Sequence, residues 1–392
     1  MAVDLASGRT APRDRADVAA FVRNLDWLLL GGVAALVAYG LWGVAGITRY
    51  DVEGNPSYYV VRQAIAVGIG VSGMLVALAI DPDRWRRLQK PLYVATIALM
   101  LLVFALGDET RGSRRWIDLG PFQFQPSEFG KLLFVLALGG FLADRARRIG
   151  EGRVVLGAIG LAAVPILLVF EQPDLGTALV YVAALGACLF VAGTRWPHLL
   201  GLGAAALAVV VAVLVVLPQA GVEVLEEYQK ERLTGFTNPD RDPSGTTYNV
   251  TQSITAIGSG GLDGRGVDGA TQTRLDYLPE HATDFVFASF AEQRGFFGAA
   301  LLLLLYLLVI WRALKTITTS RDAYGAIVAG GIVLVLLFQI FVNVGMTMGI
   351  APVTGIPLPF VTVGGSSMVV NLVAVGVLLS IGARGTPRRR GR

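Results

Sequence analysis

The sequence carries little charge and almost no cysteine or histidine for its length. Charged residues occupy 16% of its 392 positions and hydrophobic residues 54%, whereas about a quarter of the residues of a typical soluble chain are charged. The single cysteine, Cys188, excludes a disulfide framework and a cysteine metal site. The two histidines, His198 and His281, lie far apart in the sequence. This composition indicates a protein that exposes much of its surface to lipid.

Several familiar motifs are also missing. The sequence contains no zinc-ligand spacing, Walker loop, nucleophile elbow or dinucleotide fingerprint. No basic stripe carries interleaved aromatic residues, so the net charge of +4 does not indicate a nucleic-acid partner. The first 24 residues contain no apolar region followed by a small-residue cleavage site, and we therefore expect no cleaved signal peptide.

The apolar runs predict an all-α integral membrane protein, because a helix needs about 20 apolar residues to cross the hydrocarbon core. About ten such runs are present, several of them short or interrupted by Gly and Pro. They lie near residues 27–48, 63–80, 91–107, 128–143, 154–170, 178–194, 197–217, 284–311, 323–349 and 367–383. The predicted organisation is a cytoplasmic tail (1–24), helices one to seven (25–217), a large extracytoplasmic loop (218–283), helices eight to ten (284–383) and a basic cytoplasmic tail (384–392).

The distribution of basic residues predicts the orientation. The two tails and the loops on their side hold 21 of the 33 Lys and Arg residues, and the opposite loops hold 10. The positive-inside rule makes the richer side cytoplasmic. Both termini are then cytoplasmic, and the loops rich in Gly, Pro and acidic residues face outward.

The loop 218–283 is far longer than a usual connection, and such loops are functional or disordered. It contains two amphipathic stretches, Val222 to Leu233 and Tyr248 to Ile257, followed by a Gly-rich turn over 258–266. We expect it to be ordered and to lie on the outer membrane face.

The first polar motif, GSRRWIDLGPFQFQPSE, spans residues 112–128 and is followed by Lys131. Glu128 and Lys131 are three residues apart and share a helix face. Ionisable groups at the start of an apolar span point inward or into a wet cavity. The motif is either a structural ion pair with a Ser127 helix cap, or the polar wall of an outward cavity in which Arg114 and Arg115 bind an anionic head group.

Two further motifs surround acidic residues at the outer interface. In EQPDLGT (171–177), Pro173 fixes the turn and Asp174 is positioned to cap the next helix. In LPEHATDF (278–285), Asp284 is either a helix cap or a general base with Glu280 nearby. Glu292 is interpreted as mainly structural, with Arg294 as its counter-charge.

The fourth motif, residues 349–367, contains too many Pro and Gly residues for a regular helix. Pro357 and Pro359 lie in its centre, and Gly364, Gly365, Ser366 and Ser367 open the last span. Irregular backbone at membrane depth must be buried or line a cavity. The segment is either a buried structural turn or a site where helix N–H groups bind phosphate.

These motifs, in this order, resemble the SEDS family (shape, elongation, division and sporulation proteins). The resemblance covers about residues 25–383. It rests on RW-DLG-QPSE-K, QPDLGTA, the Gly-rich loop, LPE-TDF and GI-PVTGIPLPF-GGSS. The PVTGIPLPF run and the stretch YQKERLTGFTNP (228–239) resemble the elongation branch, RodA.

The resemblance implies a peptidoglycan glycosyltransferase of the bacterial cytoplasmic membrane that polymerises lipid II, an undecaprenyl-pyrophosphate-linked disaccharide pentapeptide. It places the family's essential aspartate at Asp284 and its other sensitive polar positions at Arg115, Glu128, Lys131 and Glu280. It also implies as partners a class B penicillin-binding transpeptidase and elongation-complex membrane proteins. The sequence departs from the family pattern at Ala282, at Gln293 and at Thr362-Val363, and His281 receives no catalytic role.

The mechanism expected from the resemblance is an inverting transfer. Asp284 deprotonates the acceptor hydroxyl, and Lys131, Arg115 or a divalent cation (Mg²⁺ or Mn²⁺) opposes the charge of the leaving pyrophosphate. A flippase that translocates lipid II and a purely structural scaffold are the two rival functions.

Overall fold

The computed structural model describes residues 21–385 except 111–112, 119, 121–122 and 222–245. Long apolar helices form most of this part of the chain. They are α1 (Trp27–Ile47), α2 (Tyr58–Ala79), α3 (Pro82–Arg87), α4 (Gln89–Leu106), α5 (Pro126–Ala143), α6 (Gly152–Phe170), α7 (Leu175–Val191), α8 (Trp196–Gln219), α9 (Thr246–Gly260), α10 (Gly266–Gly269), α11 (Thr271–Arg274), α12 (Val286–Thr319), α13 (Ala323–Thr347) and α14 (Gly365–Ala383).

The predicted membrane spans are confirmed as helices, with shifted bounds. Nine described helices are long and apolar enough to cross a membrane, and α7 is the shorter tenth at 17 residues. Helix α2 begins five residues before the predicted residue 63, because aromatic and polar residues at the interface continue the helical turn. The chain therefore has the all-α, multi-pass architecture of an integral membrane protein.

The helices differ in how far they are enclosed by the rest of the bundle. Helix α14 is buried along most of its length and packs mainly against α2, with α5, α12 and α13 also in contact. Helix α8 buries nothing in its most apolar stretch. A helix that is apolar all round and enclosed belongs to the centre of a bundle, so α14 forms the core.

The connection between α4 and α5 contains a small antiparallel sheet that the helical prediction does not include. Its strands are β1 (Asp108–Thr110), β2 (Ser113–Asp118) and β3 (Gln123–Phe124), in the order β1-β2-β3. Only Gln125 separates β3 from the first residue of α5. The sheet therefore ends just before the helix turn that carries Glu128.

Helix α12 is broken, and the Gly-rich turn of the long loop fills the break. Gly295 has φ 65° and ψ −166°, outside the helical region. The N–H groups of Phe296 and Phe297 donate to the carbonyls of Gly261 and Leu262, and the N–H of Arg265 donates to the carbonyl of Glu292. Backbone groups released at membrane depth must find partners within the protein, and the Gly-rich turn supplies them.

The long loop is ordered where the structure describes it. The predicted amphipathic stretch from Tyr248 lies in α9, which packs against α12. The other predicted stretch, Val222 to Leu233, lies outside the described residues, as does the YQKERLTGFTNP run.

The loops rich in arginine meet at one face of the bundle, which we call the basic face. Arg86 bonds to Asp144 at 2.8 Å and approaches Asp322 at 3.9 Å. Arg312 bonds to Asp26 at 2.7 Å. These contacts join the ends of α3, α5, α12 and the starts of α1 and α13. The loops with the polar motifs lie at the other ends of the same helices, on what we call the motif face.

Candidate functional site

Asp284 lies at the motif face, two residues before α12 begins. The N-cap residue of α12 is Phe285, whose side chain makes no capping bond. Asp284 therefore does not occupy the N-cap position itself, and its role as a general base stays a prediction. The residue is half-buried, and Phe285 after it is buried in a small apolar cluster with Leu278 and Val353. The carboxylate thus sits on a segment that packing holds in place.

Two polar side chains from other elements fix the backbone next to this carboxylate. Asn343 of α13 donates from Nδ2 to the carbonyl of Asp284 at 3.0 Å and to that of Ile356 at 2.8 Å. The Thr362 hydroxyl donates to the carbonyl of Thr283 at 3.2 Å. The segment before α12 is therefore tied to the irregular loop 350–364.

Glu280 and His281 lie on the approach to Asp284. Glu280 accepts a 2.8 Å bond from the Thr283 hydroxyl and has a left-handed backbone with φ 56°. His281 Nε2 lies 3.0 Å from Asp51 in the loop between α1 and α2. Burial lowers the pKa of His281, but the hydrogen bond and the charge of Asp51 outweigh it and raise the pKa above its usual value. His281 thus ties the Asp284 segment to the α1–α2 loop.

Glu128 and Lys131 form a buried ion pair at the start of α5. Lys131 Nζ lies 2.6 Å from Glu128 Oε1, and the residues are 6% and 2% exposed. Lys131 also lines a cavity of about 30 Å³ with Gln339 of α13 and Asn371 of α14, roughly enough for one water molecule. The predicted pairing is confirmed, and the pair points into the bundle interior.

The predicted cap at Ser127 is wrong. The N-cap of α5 is Gln125, which makes no side-chain capping bond, and Pro126 occupies the first turn. The Ser127 hydroxyl is buried without a hydrogen-bond partner among the described residues. With the cap excluded, the buried Glu128 and Lys131 are either a structural ion pair or part of the polar wall of an outward cavity.

The residues at the start of α14 connect the segment just before α5 to the irregular loop. The Ser366 hydroxyl donates to the carbonyl of Gln123 at 2.9 Å and accepts from the N–H of Gln125 at 2.9 Å. Ser367 accepts a 3.2 Å bond from Asn371. Helix α14 begins at Gly365, after Gly364, as predicted. The two hydroxyls therefore have structural partners, and their role in binding phosphate stays a prediction.

The side-chain amide of Gln63 in α2 forms two hydrogen bonds with the backbone at the end of the same loop. Its Nε2 donates to the carbonyl of Thr362 at 2.9 Å, and its Oε1 accepts from the N–H of Gly364 at 3.2 Å. Gln63 and Asn343 were not among the predicted site residues. Each is a buried amide within an apolar span, and polar residues in such positions are expensive and functional. That signal could have identified both.

The central prolines of the irregular loop are enclosed by the bundle. The Tyr306 hydroxyl donates to the carbonyl of Pro359, and the N–H of Leu358, next to Pro357, donates to Thr362 Oγ1 at 2.8 Å. Leu358 and Phe360 are buried. The prediction of irregular backbone buried in protein is confirmed for this loop.

Arg115 and Asp174 organise the turn between α6 and α7. Arg115 donates from Nε to the carbonyl of Gln172 at 3.1 Å and from Nη2 to that of Pro173. Asp174 accepts from the N–H and the hydroxyl of Thr177 at 3.0 and 2.9 Å. The predicted cap at Asp174 is confirmed. Two of the five N–H groups of the Arg115 guanidinium thus hold this turn. Arg114 directly precedes Arg115 in the chain of β2.

Glu292 has a different partner from the one predicted. Its carboxylate accepts from the N–H of Gln272 at 2.9 Å and from the N–H and hydroxyl of Thr273 at 3.0 and 2.7 Å. Arg294 instead lies 3.4 Å from the ring centroid of Trp42. The prediction that Arg294 is the counter-charge of Glu292 is wrong, because side chains two positions apart on a helix do not face each other. The structural interpretation of Glu292 fits these bonds.

The divalent cation stays a prediction. Among the residues that the structure describes, no three His, Cys, Asp or Glu side chains lie close enough to hold a metal ion.

The sequence matches known proteins over nearly its whole length. The family of cell cycle proteins described as FtsW, RodA and SpoVE matches residues 23–386. Stage V sporulation protein E of Bacillus subtilis (strain 168) is 37% identical over 357 residues, which cover 90% of this chain and 94% of the relative. Peptidoglycan glycosyltransferase MrdB of Escherichia coli (strain K12) is 35% identical over 360 residues, covering 91% and 93%.

A solved structure shares both sequence and fold. It is described as "Structural coordination of polymerization and crosslinking by a peptidoglycan synthase complex", with 33% identity and a TM-score of 0.76, covering 91% of this chain and 97% of the other. The chain belongs to the FtsW, RodA and SpoVE family, the SEDS family that its motifs resemble.

Proposed function

We propose that this protein polymerises lipid II by inverting glycosyl transfer, with Asp284 as the general base. The class of enzyme follows from the family, since relatives such as MrdB are named peptidoglycan glycosyltransferases. The assignment of roles within the site rests on the geometry of the motif face.

The observation that carries the proposal is the chain of hydrogen bonds that links the motifs. Asn343 and Thr362 tie the Asp284 segment to the irregular loop. Gln63 ties that loop to the start of α14, and Ser366 ties the start of α14 to Gln125. The start of α5 carries the ion pair of Glu128 and Lys131. Motifs that are distant in sequence are thus bonded to one another at one face.

In this mechanism Asp284 removes the proton from the acceptor hydroxyl as that oxygen attacks the anomeric carbon of the donor. The bond from this carbon to the pyrophosphate oxygen breaks, and undecaprenyl pyrophosphate leaves with the bonding electron pair. One base is sufficient, because a pyrophosphate needs no proton to leave. Preorganised cations stabilise the charge that develops on it. Lys131 and Arg115 are the residues assigned to this role, with Arg114, Glu280, Ser366 and Ser367 completing the substrate-binding surface.

The basic face is assigned to the cytoplasm and the motif face to the outside of the bacterial cytoplasmic membrane. Lipid II and the growing strand then meet at the outer surface. We also propose the elongation branch, from the PVTGIPLPF run, although relatives at similar identity include a sporulation protein. A class B penicillin-binding transpeptidase and elongation-complex membrane proteins are the proposed partners, in line with the synthase complex that this chain resembles.

The test is lipid II polymerisation by purified protein carrying Asp284→Asn. A general base contributes about 10²–10⁴-fold, so we expect at least a hundredfold loss of rate. Asp276→Asn is the matched control, because its carboxylate is nearby, 78% exposed and, among the residues that the structure describes, paired only with His281 at 3.4 Å. Near-wild-type polymerisation by Asp284→Asn would remove this residue as the base. Leaflet exchange of lipid II in proteoliposomes without glycan products would instead favour a flippase.

A further inference from the structure

A large cavity opens at the basic face, on the opposite side of the bundle from the proposed catalytic site. Its volume is about 1060 Å³, just above the range of roughly 300–1,000 Å³ usual for ligand pockets. It lies between α4, α5, α6 and the connection that follows α5. None of its described lining residues belongs to the motifs above.

The mouth of the cavity is strongly basic. Lys90, Arg145, Arg147 and Arg148 line it, with Asp144 as the only acidic residue among the described lining. Asp144 is already engaged, since it accepts bonds from Arg86 at 2.8 Å and from Gln89 at 2.7 Å. Burial would raise the pKa of Asp144, but these two bonds outweigh it and keep the pKa below its usual value. Four cations therefore face the cavity without an equal number of anions.

The inner wall is apolar and reaches into the membrane. Phe141 and Leu161 lie along it and are partly exposed, whereas Phe134 and Leu138 behind them are fully buried. Leu161 is nine residues after the start of α6, about 14 Å deeper at a rise of 1.5 Å per residue. Tyr93 donates to the carbonyl of Leu161 at 2.9 Å and so bridges α4 and α6 within the wall. The cavity thus spans the depth from head groups to acyl chains.

The cavity is also accessible from the side. Val94 at its rim is 65% exposed, and on a helix in a membrane that exposure is to lipid. A basic pocket between membrane helices on this side is suited to an anionic lipid head group. We propose that the cavity binds one anionic phospholipid from the adjacent leaflet, with its phosphate at the four cations and an acyl chain along the apolar wall.

The test uses the full-length protein in detergent and native mass spectrometry with added dioleoyl phosphatidylglycerol or dioleoyl phosphatidylcholine. Wild type is expected to bind phosphatidylglycerol at least about tenfold more tightly, because only its head group carries a net negative charge that the cations attract. Arg147→Gln with Arg148→Gln should lower that affinity about tenfold. Arg153→Gln with Arg321→Gln removes the same charge from exposed positions of the same face outside the cavity, and should leave it within twofold.

Two further measurements separate lipid binding from simple anion binding. Val94→Trp obstructs the rim without changing charge, and should weaken phosphatidylglycerol binding. Inorganic phosphate and glycerol phosphate at millimolar concentration should not displace the lipid. Equal affinity for the two lipids, equal losses in the two double variants, or displacement by phosphate alone would overturn the proposal. Unchanged melting temperatures verify that the variants fold.

Discussion

Among single residues, the buried pair of Glu128 and Lys131 gives the clearest test of a structural against a functional role. Each ion is nearly inaccessible, and each has the other within 2.6 Å. Removing one partner of such a pair leaves a buried charge, which is far more costly than removing both. This asymmetry allows structural and functional roles to be distinguished.

Lys131→Met should destabilise the protein by about 3–5 kcal/mol, because the Glu128 carboxylate loses its partner. The double variant Glu128→Gln with Lys131→Met should recover most of that stability, as measured by thermal unfolding in detergent. If Lys131 opposes the pyrophosphate charge, the double variant remains inactive in lipid II polymerisation. A stable and active double variant would show that the pair is only structural.

His281 gives a pH-dependent contact between the Asp284 segment and the α1–α2 loop. Its pKa in the folded protein is raised above the usual 6.5, since the bond to Asp51 and the charge of Asp276 outweigh the effect of burial. The stabilisation is therefore fully present below pH 6.5 and is lost as the pH rises through the folded pKa. The difference in melting temperature between wild type and His281→Gln should be constant below that pH and shrink above it. A difference that grows with pH would contradict the assignment.

At the scale of elements, the break in α12 depends on two glycines with left-handed backbone. Gly295 has φ +65° and Gly264 φ +83°. A Cβ on Gly295 would lie 2.3 Å from the N–H nitrogen of Gly264, and one on Gly264 would lie 2.4 Å from the carbonyl of Gln293. The neighbours are backbone atoms, which cannot rotate away.

Gly295→Ala and Gly264→Ala should each destabilise the protein by at least about 1–3 kcal/mol, the usual cost of a non-Gly residue in such a conformation. Gly68→Ala in α2 is the control, because nothing lies within 4 Å of its Cβ position. Thermal unfolding compares the three variants. Equal stability of all three would mean that the Gly-rich turn does not fill the helix break.

At the scale of the whole molecule, the orientation of the two faces can be tested by labelling. The single native cysteine, Cys188, is buried, so we expect little background labelling by a maleimide. Arg153→Cys lies on the basic face and Glu53→Cys on the motif face, both at exposed positions. In intact cells an impermeant maleimide should label Glu53→Cys, and Arg153→Cys only after permeabilisation. The reverse pattern would invert the proposed topology.

Local sequence predicted most of the architecture and several local contacts. The helix cap at Asp174 and the Glu128–Lys131 pair involve residues three positions apart, so helical geometry alone brings them together. The partner of Glu292 could not be predicted in this way. It is the start of α11, 19 to 20 residues earlier in the chain, and only the folded loop places it there.

The apolar runs alone predicted a membrane-spanning protein and the approximate position of its spans. The length of an apolar run is a local property, and hydrocarbon forces such runs into helices. The contacts of Asn343, Gln63 and the Gly-rich turn, and the basic cavity between α4 and α6, became apparent only from the folded chain. Those features depend on side chains and backbone groups that are distant in sequence, and helix packing alone determines which of them meet.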